Sequence, residues 1–89
     1  MPHVVLYVTP DPQQAPLLQR RIADVGAVPR VGDRVEVPLA PAYGSGAHGE
    51  VASVTWSDSL EVAGVLLVVP PASVKQGAYD KAPKGWSKA

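Results

Sequence analysis

The chain is predicted to be an all-β domain of five short strands, and three observations carry that expectation. Its β-branched and aromatic residues gather in short runs such as HVVLYVT, EVASVTWS and EVAGVLLVV. Ten prolines and eight glycines punctuate the intervals between those runs, which leaves no room for a bundle of long helices. Apolar residues make up 46% of the 89 positions and charged residues 18%, a balance suited to a packed core.

The first strand is expected over His3–Thr9, closed by Pro10-Asp11-Pro12. Val4, Leu6 and Val8 share one face and Val5 and Tyr7 the other, so both faces are expected to be covered. Two signals compete over the next segment. Asp11, Pro12 and Gln14 have the spacing of a helix cap, and Leu17, Leu18, Ile22 and Val25 fall at helical intervals before Gly26. Pro16 would cost such a helix about 3 kcal/mol, whereas Leu17 to Val25 also alternates with a period of two. The strand reading is preferred, with one short helix within residues 11–25, and hence an α+β fold, as the alternative.

A turn at Val28–Asp33 leads to a strand over Arg34–Val37. A glycine- and proline-rich loop over residues 38–49 follows, carrying Tyr43 and His48. Glu50–Ser57 is the return strand, with Ala52, Val54 and Trp56 on one face, and Trp56 is expected at the centre of the core. Glu61–Val69 is the most apolar strand and the natural central one, with Gly64 marking a bulge. Pro70-Pro71 ends the sheet, since neither residue has an N–H to donate. This divides the chain into a single domain over residues 1–71 and a flexible basic tail over residues 72–89.

The turn Val31-Gly32-Asp33-Arg34-Val35 and the opening Gly49-Glu50-Val51 resemble the small SH3-like β-barrels that include the KOW motif. They are also similar to small uncharacterised bacterial and phage β-barrel proteins with the pattern Pro-Arg-Val-Gly-Asp, strand, loop, strand ending in Trp. The resemblance covers residues 28–69 and implies a five-stranded SH3-like barrel. The chain departs from KOW proteins in its neutral body and in having no lysine or arginine between Pro38 and Trp56. That departure sets aside the RNA or ribosome contacts such domains usually make.

Charge narrows the partners. The formal net charge is zero, so no overall field draws the chain to nucleic acid or an anionic membrane. Locally, Lys75, Lys81, Lys84 and Lys88 face only Asp80 after residue 73. Interleaved with Tyr79 and Trp86, those lysines have the composition of a single-strand nucleic-acid site. With Arg20, Arg30 and Arg34 they form the nucleic-acid alternative. The preferred reading is a non-enzymatic binding or assembly module that meets a protein partner, or a second copy of itself, through Tyr43 and His48 of the loop and Tyr79 and Trp86 of the tail. A third reading, ranked after these, has Tyr79 and Trp86 anchor the tail on the barrel or on a neighbouring subunit.

Chemistry finds little purchase. Gly44-Ser45-Gly46-Ala47-His48-Gly49 spells G-x-G-x-x-G, but a dinucleotide site needs a helix after the last glycine and EVASVTW is strand-like. Ser45, His48 and Asp33 or Asp58 make a triad on paper without a nucleophile turn. There is no cysteine, and two scattered histidines do not make a metal site. No enzyme activity, metal or cofactor is expected. No run is long enough to span a membrane, and a cytoplasmic location is expected.

Overall fold

A computed structural model of the chain describes residues 3–22, 27–37, 47–57, 62–70, 73–82 and 85–89. They form one open mixed sheet of six strands. The strands are β1 (His3–Thr9), β2 (Leu18–Ile22), β3 (Arg34–Glu36), β4 (His48–Trp56), β5 (Val62–Val68) and β6 (Ser87–Lys88), and one short helix, α1, covers Gln76–Lys81. The order across the sheet is β3-β4-β5-β1-β2-β6. The expected five-stranded barrel is therefore corrected to an open sheet. Its ends, β3 and β6, are far apart in the strand order, and the tail supplies the sixth strand.

The two most apolar strands, β1 and β5, lie side by side at the centre of the sheet. β1 runs parallel to β5, with Val4 beside Ala63, Leu6 beside Val65 and Val8 beside Leu67. The other pairings are antiparallel. Leu18–Ile22 is a strand, so the preferred reading of that segment holds and its helical alternative does not. The cap-like residues before it build turns instead. Asp11 accepts the Gln13 N–H on its side chain at 2.9 Å and the Gln14 N–H on its carbonyl at 3.0 Å, the local bonding by which aspartate favours turns over helices.

The alternation of each strand sorts its residues onto two unlike faces. The core face collects Val4, Leu6, Val8, Leu18, Val51, Ala63, Val65 and Leu67, all nearly or wholly buried. Gly49 belongs to this face because nothing larger fits: a Cβ there would stand 2.9 Å from Leu67 Cβ and 3.1 Å from Val69 Cγ2.

The core face is covered by the C-terminal segment, which is not the flexible tail expected from its composition. Val74, Ala78, Tyr79 and Trp86 are all buried in the same core. β6 pairs with β2, setting Lys88 beside Leu18 and Ser87 beside Gln19. The Arg20 guanidinium carbon lies 6.0 Å from the centre of the Trp86 ring, within the range of a cation–π contact. Without this cover the apolar side of β1 and β5 would face water.

Trp56 does not hold the central place expected of it. It remains 42% exposed, while Trp86 is only 6% exposed. A register shift between Val51 and Ser53 makes Ala52 the bulged residue of β4, and no bulge occurs at Gly64. The shift brings Val51, Val54 and Trp56 to the core side together. Trp56 then stands opposite Ala63. Val74 and Tyr79 gather with Pro10, Asp11 and Leu17 at the other end of β1, so their cover does not reach it.

The Tyr79 hydroxyl is buried without a hydrogen-bond partner among the described residues, and burial pushes its ionisation above the ordinary tyrosine value of 10.0. The folded chain therefore keeps a proton that the unfolded chain gives up. That contribution to stability is complete below about pH 10 and declines as pH rises further. Tyr79→Phe should flatten the alkaline decline and leave stability at neutral pH unchanged or higher by about 1 kcal/mol, because it removes an unsatisfied hydroxyl and keeps the ring. Urea unfolding on both sides of pH 10 checks this.

Candidate binding surface

The opposite face of the sheet has no helix over it among the described elements. Its centre is an apolar band of Val5, Tyr7, Val62, Leu66 and Val68, each half-buried by its neighbours. The pairing registers fix this arrangement, with Val5 beside Gly64 and Tyr7 beside Leu66. Ser53 and Thr55 of β4 then border the band on one side, opposite Leu66 and Gly64. Gln19 and Arg21 of β2 border it on the other, opposite Tyr7 and Val5.

Gly64 shapes the middle of the band. A Cβ there would lie 3.3 Å from Tyr7 Cε2 and 3.6 Å from the Thr55 carbonyl oxygen. The Tyr7 ring therefore leans across the glycine, and a shallow depression of about 230 Å³ opens among Tyr7, Pro16, Ser53, Thr55, Gly64 and Leu66. A wider cleft of about 730 Å³ opens towards β3, where Arg34, His48 and Glu50 meet Val68 and Pro70. An apolar floor inside a polar border is the composition of surfaces that bury against another protein.

His48 is exposed at the start of β4, opposite Glu36. Tyr43 and Lys84 lie outside the described residues. Tyr79 and Trp86 are buried in the core, which corrects their assignment as contact residues: the cover of the sheet needs both rings. Arg30 and Arg34 are exposed and Arg20 is half-buried. These arginines do not share one face, because Arg20 aligns with Leu6 on the core side while Arg34 aligns with Glu50 on the uncovered side. Lys75 and Lys81 are exposed beside and on α1, and Lys88 on β6. These lysines belong to the segment that covers the core face and do not join Arg34 in a single basic patch.

Asp33 is a turn former. Its carboxylate accepts the Arg30 N–H at 2.8 Å, and its own N–H donates to the Arg30 carbonyl at 2.9 Å. Of the proposed triad, Ser45 and Asp58 lie outside the described residues. The last glycine of G-x-G-x-x-G sits inside β4, and the strand continues where a nucleotide site would require a helix. No helix among the described residues is long and apolar enough to cross a membrane.

The residues of the uncovered band escaped the sequence reading as a site. Alternation within β1 and β5 marks two apolar faces, and both were expected to be covered. The missing information was that, among the described residues, the helix and the buried aromatic rings of the C-terminal segment pack on one face.

The chain matches no protein-family model, no curated protein and no solved structure.

Proposed function

We propose that this protein is a non-enzymatic binding module and that the uncovered sheet face is where it meets a protein partner. The observation that carries this reading is the half-buried band of Val5, Tyr7, Leu66 and Val68, which has no helix over it among the described elements, while the core face packs against the chain's own C-terminal segment. Leaving such a band in water forgoes about 25 cal/mol for each Å² of apolar surface. A partner that covers it recovers that energy. Ser53, Thr55, Gln19 and Arg21 around the band supply the polar contacts that fix orientation.

A photo-crosslinking residue placed at Leu66 should give a discrete adduct in cells, and the same residue at exposed Ala89 should not. Leu66→Lys, combined with a crosslinker at Val68, should abolish the adduct while the far-ultraviolet circular dichroism shows the chain still folded. Equal adducts from Leu66 and Ala89 would remove the reading.

A further inference from the structure

The β3 edge of the sheet carries a second, independent observation. In the β3–β4 ladder the Val37 N–H donates to Ala47 at 2.8 Å and the Val51 N–H donates to Asp33 at 2.9 Å. Antiparallel strands alternate between bonded and non-bonded pairs, so Asp33, Val35 and Val37 turn their backbone groups towards β4. Arg34 and Glu36 then turn theirs outward. β3 is the terminal strand of the sheet, and among the described elements its extensive contact is with β4 alone. An outward N–H and C=O on each of two residues separated by one is the template for one more antiparallel strand.

The side chains at this edge state which strand fits. Arg34-Val35-Glu36 is self-complementary: about a twofold axis at Val35, Arg34 stands opposite Glu36 of a second copy and Glu36 opposite Arg34. The same register places the outward backbone groups of Arg34 and Glu36 against one another, so four backbone hydrogen bonds form around the Val35 pair. Within one copy Arg34 already stands opposite Glu50, and Glu36 opposite His48. Across the junction each row therefore reads Glu50, Arg34, then the second copy's Glu36 and His48, with acidic and basic groups alternating. Charged side chains commonly blunt a sheet edge against strands that do not match them. This edge carries both signs, in the order that a twofold requires. Val31, 66% exposed, precedes the same edge and adds apolar surface beside it. β6, at the other end of the sheet, offers only two residues.

We propose that two copies of this chain associate by antiparallel pairing of β3 with β3, extending two six-stranded sheets into one. This goes beyond the docking face and does not depend on it.

Sedimentation equilibrium of the full chain over a wide concentration range should show a monomer–dimer equilibrium. Arg34→Glu makes the edge Glu-Val-Glu, and Glu36→Arg makes it Arg-Val-Arg. Each alone should dimerise on the order of tenfold more weakly, because both junction pairs become repulsive. Mixed in equal amounts, the two variants should form a heterodimer at least as strong as the wild-type dimer. The mixture controls for folding, since the pairing inside each chain is the same mixed or separate; only contacts between chains differ. Leu66→Lys should leave the dimer constant unchanged, so failure here and failure of the docking face are told apart. A wild type that stays monomeric, single variants that dimerise like wild type, or a mixture no stronger than its components would each overturn the proposal. So would backbone amides of Arg34 and Glu36 that gain protection only when a different protein is added.

Discussion

Deleting the chain after Pro71 should yield a protein that does not fold, although the deleted segment has the composition of a loose tail. The reason is the area it covers. Val74, Ala78, Tyr79 and Trp86 are buried in one core cluster with the inward-facing residues of the sheet, and a folded domain has only about 5–15 kcal/mol of stability to lose. Trp86→Ala alone should cost about 3–5 kcal/mol, the range for truncating a large buried aromatic side chain. Chemical denaturation of the point variant, and the far-ultraviolet circular dichroism of the truncated chain, measure the two effects. A truncated chain with the wild-type spectrum and midpoint would mean that the core face is covered in some other way.

Leu66 and Leu67 should respond very differently to the same substitution. Leu67 has no exposed surface and meets Val8 and Val51 across its two neighbouring strands. Leu67→Ala removes apolar contacts and leaves a cavity, at a cost of about 2–5 kcal/mol. Leu66 points to the uncovered band, where the space left by its side chain opens directly to water. Leu66→Ala should cost about 1 kcal/mol. Unfolding midpoints in urea with unchanged slopes would establish the contrast, and equal losses would show that both faces are sealed in solution.

Much of this fold can be read from local pattern. The first strand, His3–Thr9, has the predicted bounds, and β4 and β5 lie within a few residues of theirs, because β-branched runs ended by proline or glycine have few other uses. Long-range matters were hidden. The alternation in β1 is the same whether β1 pairs with β2 alone or also runs parallel to β5, so an open sheet and a closed barrel share one sequence pattern. The bulge at Ala52 left no local mark, since alanine needs no special backbone there, and it changed which residues of β4 accompany Trp56. The segment after Pro71 lacked periodicity because its buried residues, Val74, Ala78, Tyr79 and Trp86, come from a six-residue helix and the irregular stretches on either side of it, each too short to repeat. Burial of Tyr79 and Trp86 placed two expected contact residues in the core, while Tyr7 and Leu66 on the opposite face of the sheet remain half-buried.

The place of β1 has a consequence for how the chain reaches its fold. β1 is made first, yet its parallel neighbour is β5, with His3 beside Val62 and Thr9 beside Val68. Synthesis at about 5–20 residues per second puts several seconds between the two strands. During that interval β1 can pair only with β2, and HVVLYVT carries no acidic or basic group other than its histidine to keep it from similar strands on neighbouring chains. Long-range parallel pairing is also the slowest kind to form, because the loop must close before any contact rewards it. The step that commits the molecule is therefore the arrival of β5, and the rate of folding should be governed by the long-range contacts between β1 and β5.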